Sequence, residues 1–203
     1  MTVKALVGDN LSCRRGFRLL FEGLAVSAQA GRALVVVGPN GAGKSSLLRI
    51  LAGLLAPTAG MVRLDGSGES VAEHLHYLGH DDAVKGALTV ADNLAFWRTV
   101  LGGGGLQVEE ALEEVGLGGL GRLRAQVLSA GQKRRLAIAR LLVAKRPIWV
   151  LDEPTTALDV KAQARFAAFG RAHLADGGLL IAATHAPLDL GETDELRLGG
   201  VGA

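Results

Sequence analysis

Short runs of apolar residues alternate along the chain with segments of helical periodicity. Two runs, Leu34–Val37 and Ile148–Leu151, contain no polar alternation, which is typical of strands buried on both faces of a parallel sheet. A helical pattern follows each run, at Lys44–Leu54 and at Lys161–Ala175. This succession predicts an α/β core built from βαβ units. Further strands are predicted at Leu19–Phe21, Leu24–Ala28, Val62–Leu64, His76–Leu78, Leu179–Ala182 and Glu195–Leu198.

The middle of the chain, from about residue 81 to residue 142, has a helical pattern that glycines interrupt. Thr89, with Asp92 three residues later, resembles a capping box, which predicts a helix from there through Trp97. The four glycines Gly102–Gly105 predict a flexible loop, and Glu109–Val115 is helical again. We predict that this segment is a helical subdomain inserted between two strands of the core.

Length and composition fit one domain over residues 1–203, with a core at about 1–80 and 143–203 and the helical subdomain at about 81–142. Hydrophobic residues make up 49% of the chain and charged residues 21%, so the chain can bury a large core and is not disordered. The formal net charge is only +2, from basic and acidic residues spread along the chain, which argues against a nucleic-acid partner.

No apolar stretch approaches the roughly 20 residues that span a bilayer. The N-terminus Met1–Lys4 does not open an apolar signal region, so we expect a cytoplasmic chain that is soluble or peripheral to a membrane. The single Cys13 cannot form an internal disulfide and is expected to be an inert thiol. His74, His76 and His173 are expected on the surface.

The loop after Leu34–Val37 matches the phosphate-binding pattern G-x-x-x-x-G-K-[ST] in full. Its glycines let backbone N–H groups face a phosphate, and the N-terminus of the following helix adds positive potential. Lys44 is expected to reach the β- and γ-phosphates of ATP, and the Ser45 hydroxyl to bind Mg²⁺. The predicted nucleotide-binding residues are Gly38, Pro39, Asn40, Gly41, Ala42, Gly43, Lys44, Ser45 and Ser46.

Two carboxylates, Asp152 and Glu153, follow the buried run Ile148–Leu151. Ligands of open α/β sheets bind at the carboxyl ends of the strands, where these two side chains are expected. Asp152 is predicted to hold Mg²⁺, directly or through water, and Glu153 to polarise the attacking water. Such a pair is by itself equally compatible with a solvated turn, and the phosphate loop upstream favours the catalytic interpretation.

The segment Ser129-x-x-Gln132 has the form of a capping box before a predicted helix from about Gly131 to Leu142. Its structural interpretation is helix capping alone. Its functional interpretation is a phosphate-binding surface, because a helix N-terminus attracts anions. A nucleotide could touch both this segment and Lys44 only if the helical insert folded back or if a second chain supplied it, and the sequence leaves both open.

His185 follows the apolar run Leu179–Ala183, where a neutral imidazole could bond the γ-phosphate or the attacking water. A surface histidine is the alternative. Asp159 lies in the short turn Ala157–Asp159 before a helix, which fits both an N-cap and a role at an interface.

In this order, these segments resemble the ATP-binding cassette of ABC transporters over essentially the whole chain. Gly38–Ser45 looks like its Walker A motif, Leu128–Gln132 its signature, Ile148–Glu153 its Walker B motif, Ala157–Asp159 its D-loop and His185 its switch histidine. The resemblance implies a P-loop NTPase core with an antiparallel β subdomain and a helical subdomain. It also implies coupling to membrane-spanning partners.

The same resemblance implies a head-to-tail homodimer with ATP between the Walker A motif of one chain and the signature of the other. The residues expected to contact a nucleotide across that dimer are Ser129, Gly131, Gln132 and Asp159.

A narrower resemblance is to the CcmA family, the ATP-binding subunits of the bacterial haem exporter of cytochrome c maturation. It is carried by Tyr77–Asp81, by Leu128–Gln132 with Ala130 in place of the common glycine, and by Ala182–Leu188. It implies an integral membrane permease of the CcmB type, further cytochrome c maturation proteins as partners, and haem as the nominal cargo. It also implies a peripheral location on the cytoplasmic face of the bacterial inner membrane. No motif in the sequence itself recognises haem.

Two positions depart from the general ABC pattern. His80 stands where most ABC ATPases have the Q-loop glutamine, which contacts Mg²⁺ and water. A neutral imidazole can do this, whereas a protonated one would repel Mg²⁺, so hydrolysis is expected to fall in mild acid; a surface histidine is the alternative. The aromatic residue that usually stacks on adenine is missing near Arg14–Phe17, where Phe17 or an arginine could stack, or Phe17 could be core.

The sequence therefore predicts an ATP hydrolase in which water attacks the γ-phosphate in line and Glu153, His185 and Lys44 are catalytic. Two alternatives stay open. One is an ABC ATPase for a different cargo, such as a lipid or a drug. The other is a nucleotide-gated assembly module with little turnover.

Overall fold

The computed structural model of the chain describes residues 3–65 and 70–199; Met1, Thr2 and the last four residues of the predicted domain lie outside the described residues. The strands are β1 Ala5–Arg15, β2 Arg18–Gln29, β3 Ala33–Val37, β4 Ala59–Asp65, β5 Leu75–Leu78, β6 Ile148–Asp152, β7 Leu179–Ala183 and β8 Thr193–Arg197. The α-helices are α1 Lys44–Leu51, α2 Val90–Val100, α3 Val108–Glu114, α4 Ala130–Val143 and α5 Val160–Ala175. The predicted α/β class is confirmed.

One sheet has the strand order β5-β6-β7-β3-β8, and its pairs β6/β7, β3/β7 and β3/β8 are parallel. Every residue of β6 and β7 is buried, as the missing polar alternation predicts. Parallel strands end at the same edge of a sheet, so the segments after β3, β6 and β7 emerge together. These segments carry the phosphate loop, the acidic pair and His185.

A second, antiparallel sheet has the order β2-β1-β4, and its strand β1 is absent from the sequence-based predictions. The run Gly8-Asp9-Asn10 inside β1 has the composition of a turn, but the strand continues through it as a bulge. Asn10 has a positive φ of 51°, and the pairing register with β2 shifts between Gly8 and Leu11. A bulge absorbs an extra residue without ending the strand, which local composition cannot indicate.

Several predicted elements have different limits in the structure. The strands predicted at Leu19–Phe21 and Leu24–Ala28 are one strand, β2, which passes through Gly23 at φ 65°. Helix α1 ends at Leu51 rather than Leu54, because Gly53 adopts φ 71° and the Leu54 N–H donates back to the Arg49 carbonyl at 2.8 Å. A glycine in the left-handed region just past a helix ends it in this way.

His74, His76 and His173 were predicted to lie on the surface, and this prediction is wrong for His76. Only 1% of His76 is exposed, because it lies on β5 at the edge of the buried parallel sheet. His173 is half-buried on α5, stacked on Trp149 of β6. Cys13 is buried on β1, and burial raises the pKa of its thiol, which agrees with an inert role.

The chain divides into two compact units. The first comprises the residues up to Tyr77, Pro147–Glu153 and the residues from Gly170 onward, and both sheets contribute to its apolar core. The second comprises Leu78–Arg146 and Pro154–Phe169, with α2, α3, α4 and most of α5. The boundaries predicted at about 81 and 142 stay a prediction. None of the helices in the described ranges combines the length and apolar character needed to cross a bilayer.

Candidate active site

The phosphate loop joins β3 to α1 through glycines that other residues could not replace. Gly43, directly before the helix, has a φ of 103°, and a Cβ there would lie 3.1 Å from the Cβ of Leu20 and 3.2 Å from the Phe21 ring. Gly41 has a φ of 77°. The left-handed backbone and the tight contact with β2 both favour glycine, and a glycine-rich loop that leads into a helix N-terminus is the arrangement that binds phosphate.

Lys44 is held inside this loop. Only 8% of the residue is exposed, and its Nζ donates to the carbonyls of Gly38 at 2.8 Å and Pro39 at 3.2 Å. An ammonium group has three donors and no acceptor, so these bonds leave it capacity for a further acceptor. The structure therefore places a positive charge within the predicted phosphate site.

His185 lies between Lys44 and Glu153 within the first unit. Its Nε2 is 3.3 Å from Lys44 Nζ and 3.6 Å from Glu153 Oε1. Because the ammonium can only donate, a hydrogen bond between Lys44 and His185 requires an unprotonated Nε2, which places the imidazole proton on Nδ1. The structure thus brings together the three side chains that were predicted as catalytic.

Glu153 has an unusual backbone conformation for its residue type. Its φ is 48°, while its N–H continues the pairing of β6 with β7 by donating to the Ala183 carbonyl at 2.8 Å. The Glu153 carboxylate also accepts a hydrogen bond from the backbone N–H of His185 at 3.4 Å. The left-handed backbone region costs a non-glycine residue of order 1–3 kcal/mol, and residues strained in this way cluster at functional sites. The turn directs the Glu153 side chain toward His185.

Asp152 is the last residue of β6 and only 5% of it is exposed. Burial raises the pKa of Tyr77, and the negative charge of Asp152 raises it further. Within the described residues, no group of three or more His, Cys, Asp or Glu side chains could hold a metal by itself. One carboxylate and the exposed Ser45 hydroxyl fit Mg²⁺, because this ion keeps several waters and takes phosphate oxygens rather than a cage of protein ligands.

The signature segment lies in the second unit, and its capping box is confirmed. The Gln132 N–H donates to Ser129 Oγ at 3.3 Å, and the Ser129 N–H donates to Gln132 Oε1 at 2.8 Å. A Cβ at Gly131 would lie 2.8 Å from the Ala157 carbonyl, so glycine is required there. This close approach joins the signature to the segment Ala157–Asp159.

Asp159 caps α5, since its Oδ1 accepts from the Ala162 N–H at 2.8 Å. His80 is exposed, two residues after the end of β5. The roles of both residues toward a nucleotide stay predictions.

Phe17 lies in the turn between β1 and β2 and is not a core residue. Its side chain is fully exposed, at 104% of the reference area, so the core alternative is wrong. Stacking on adenine stays a prediction. Sequence reasoning missed Arg18, whose Nη1 lies 3.5 Å from the position that a Cβ on Gly41 would take. An arginine that starts a strand carries no signal of this contact with the phosphate loop.

Comparison with known proteins agrees with this geometry. The ABC transporter family model matches residues 21–156. A protein of Nitrobacter winogradskyi named cytochrome c biogenesis ATP-binding export protein CcmA is 56% identical over 197 residues, which cover 96% of this chain and 98% of that protein. The protein of the same name from Bradyrhizobium diazoefficiens is 54% identical, again over nearly the full length of both chains.

Solved structures show the same fold. A putative ABC transporter ATP-binding protein from Pyrococcus furiosus superimposes with a TM-score of 0.80 at 24% identity, over 96% of this chain and 98% of that one. A bacterial ABC transporter cassette solved as a dimer gives a TM-score of 0.80 at 23% identity, over 95% and 94% of the two chains.

Proposed function

The chain belongs to the ABC transporter family and, within it, to the CcmA family of cytochrome c biogenesis ATP-binding export proteins, and from this premise we propose that it hydrolyses ATP to drive a membrane permease in haem export for c-type cytochrome maturation. The observation that carries the proposal is the cluster of Lys44, His185 and Glu153 at the carboxyl edge of the parallel sheet. Nearly full-length similarity to relatives of that name supports the biological role.

ATP binds with its phosphates in the loop Gly38–Ser45. Backbone N–H groups and the N-terminus of α1 face the phosphate oxygens, and Lys44 Nζ turns from its present partners, the loop carbonyls and His185, to the β- and γ-phosphates. Ser45 and Asp152, with His80 as a third candidate, would hold Mg²⁺, which would neutralise charge on the β- and γ-oxygens.

Hydrolysis proceeds by in-line attack of water on the γ-phosphate. Glu153 accepts a hydrogen bond from that water and polarises it, because its carboxylate lies at the sheet edge beside His185. His185 Nε2, released from Lys44 when that side chain turns to the phosphates, contacts the γ-phosphate or the water. The protein contributes positioning and electrostatic stabilisation, which account for most of the catalysis of phosphoryl transfer.

The site is completed by a second copy of the chain in a head-to-tail dimer. Ser129, Gly131 and Gln132 then contact the γ-phosphate of the partner's nucleotide, and Asp159 lies at the same interface. The exposed Ser129 hydroxyl at the N-terminus of α4 supports this proposal, because a helix N-terminus attracts phosphate. ATP binding closes the dimer, and hydrolysis opens it.

The membrane partner is an integral permease of the CcmB type, and further cytochrome c maturation proteins belong to the same assembly. The chain is peripheral, on the cytoplasmic face of the bacterial inner membrane, and haem is the nominal cargo. The names of the relatives support this role, while the cargo itself rests on the resemblance.

Replacement of Glu153 by Gln tests whether the cluster hydrolyses ATP. Gln keeps the size of the side chain but cannot take a proton, so turnover is expected to fall roughly 100-fold or more while ATP still binds. Steady-state phosphate release and equilibrium nucleotide binding measure the two effects.

The matched control is Glu195→Gln on β8, where the carboxylate pairs with Arg197 on the surface at 2.8 Å. It is expected to keep wild-type turnover. Equally negligible turnover in the wild type and Glu153→Gln would overturn the hydrolase and favour a nucleotide-gated assembly module.

A further inference from the structure

Arg134 is a buried cation on α4, two residues after the signature glutamine Gln132. Only 4% of it is exposed. Its Nε donates to the Pro154 carbonyl at 3.1 Å, and its Nη1 donates to the Gly79 carbonyl at 3.0 Å and to Asp82 Oδ1 at 2.9 Å. One guanidinium therefore joins α4 to two other segments of the second unit.

The two segments that Arg134 contacts lie next to residues with proposed roles in ATP hydrolysis. Gly79 directly precedes His80, and Pro154 directly follows Glu153. Arg134 thus holds the carbonyl of the peptide group that joins Gly79 to His80, and the carbonyl of Pro154, the residue next to Glu153. A displacement of either carbonyl would pass into the neighbouring side chain through the covalent backbone.

The same segments contain strained backbone. Glu153, Ala83 and Ala157 have positive φ angles of 48°, 53° and 63°, although none is a glycine. Such conformations persist only where surrounding contacts determine them. The hydrogen bond from Arg134 to Pro154 and the close approach of Gly131 to Ala157 are contacts of this kind.

The planar fork of arginine is required for this arrangement. Its N–H groups point in fixed, divergent directions, whereas a lysine ammonium is a compact point charge on a flexible stem. The charge itself is not evidence for a stabilising role, because buried ion pairs often contribute little net stability. Burial lowers the pKa of Arg140 on the same helix to about 10, and the positive charge of Arg134 contributes to this shift. The helix therefore holds two cations close together. Geometry, rather than stability, accounts best for a guanidinium at this position.

We infer that Arg134 is a positioning residue for ATP hydrolysis, which holds the segment before His80 and the segment after Glu153 in register with the signature end of α4. This inference rests on the proposed function. Arg134 does not touch the nucleotide; it acts through the backbone next to Glu153 and His80.

Arg134→Lys tests the inference, because it keeps the charge and removes the fork. The rate constant kcat for ATP hydrolysis is expected to fall roughly ten- to hundredfold, as small misplacements of catalytic groups cost rates of this size. The KM for ATP and the affinity of the monomer for ATP are expected to stay within about twofold, since the phosphate loop is unchanged. Substitution of a residue with only a structural role would not lower kcat while leaving the KM and the affinity for ATP unchanged.

Arg135→Lys is the matched control. Arg135 is the next residue of the same helix, and its Nη1 also donates to backbone carbonyls, at 2.8 Å to Gly116 and 3.4 Å to Val115. The control carries the same substitution and the same loss of carbonyl contacts, away from residues 79–82 and 154. It is expected to keep kcat, and an equal loss of kcat in both variants would overturn the inference.

A double-mutant cycle separates this inference from the proposed function. If Arg134 acts through Glu153, adding Arg134→Lys to Glu153→Gln lowers the residual turnover by less than it lowers the turnover of the wild type. Undiminished turnover in Glu153→Gln alone defeats the proposed function. Lowered turnover in Glu153→Gln with a full kcat in Arg134→Lys defeats only the inference about Arg134.

Asp82→Asn provides a second route if Arg134→Lys does not fold. It removes the charge of one partner but preserves the shape of the side chain, so the fold should survive. Its kcat is expected to fall severalfold with an unchanged KM, and a wild-type kcat in this variant would overturn the inference.

Discussion

His173 is a half-buried histidine of the first unit. Its ring stacks on Trp149 with centroids 4.1 Å apart and planes 9° from parallel, and its Nε2 lies 3.1 Å from the Leu179 carbonyl. A carbonyl only accepts, so this bond requires a proton on Nε2. Burial lowers the pKa of His173, and the hydrogen bonds to the carbonyls of Leu179 and Pro147 offset part of that effect.

This lowered pKa predicts how the stability of the unit depends on pH. The unfolded chain takes up a proton at His173 as the pH falls through about 6.5, whereas the folded chain does so only at a lower pH. Stability is therefore lost as the pH falls below about 6.5, down to the folded pKa. His173→Gln keeps a neutral donor that does not titrate, so its free energy of unfolding should fall less between about pH 8 and pH 5.5.

Urea unfolding of both proteins at the two pH values measures this difference. Each protein's own value near pH 8 is its reference, so a uniform loss of stability in the variant does not affect the comparison. An equal acid-dependent loss in the wild type and His173→Gln would mean that His173 is not held neutral in the folded chain.

The sequence predicted the position of some residues of the site but not of others. Lys44, Glu153 and His185 each follow a strand of the parallel sheet, so topology alone was expected to bring them to one edge. Arg134 could not be found this way. Its importance comes from three acceptors that are distant in sequence, and an arginine on a helix is usually at the surface.

At the scale of elements, the N-terminus of α4 has two roles that one substitution separates. Ser129→Arg removes the capping hydroxyl, which costs about 1 kcal/mol of helix stability, and places a bulky cation where the partner's nucleotide is proposed to sit. We expect the variant to bind ATP as a monomer but to fail to form the ATP-bound dimer. Size-exclusion chromatography with ATP in the Glu153→Gln background, where hydrolysis is slow, measures dimer formation.

Thr89→Arg is the matched control for this element. Thr89 caps α2 in the same unit, with its Oγ1 accepting from the Asp92 N–H at 3.0 Å, so the control loses a comparable cap. It is expected to keep ATP-dependent dimer formation. Loss of monomer ATP binding in Ser129→Arg would contradict a composite site.

The strands show where local sequence is a sufficient guide and where it is not. The buried parallel strand β6 is apolar up to its last residue, Asp152, so the apolar run Ile148–Leu151 was enough to predict it. The antiparallel β1 contains the bulge at Asn10 and polar residues on its exposed face. Its pairing with β2 and β4 holds the strand together, and that long-range information is absent from the local pattern.

At the scale of the molecule, the described part of the chain accounts for ATP chemistry but contains no helix that could cross a membrane. The residues of the proposed site are shared between the two units: Lys44, Glu153 and His185 belong to the first, and Ser129 and Asp159 to the second. The relatives are named as export proteins, and the membrane partner that we propose is a permease of the CcmB type.

Purification of the tagged chain from detergent-solubilised membranes tests this assembly. We expect an integral permease of the CcmB type to accompany the chain, and porphyrin to be detected spectroscopically in the complex. Ser129→Arg is the informative control, because it should prevent closure of the ATP dimer while leaving the cluster at the sheet edge unchanged. Recovery of a permease from an unrelated transport system would overturn the assignment to c-type cytochrome maturation while leaving the hydrolase intact, since the cluster at the sheet edge depends on no membrane partner.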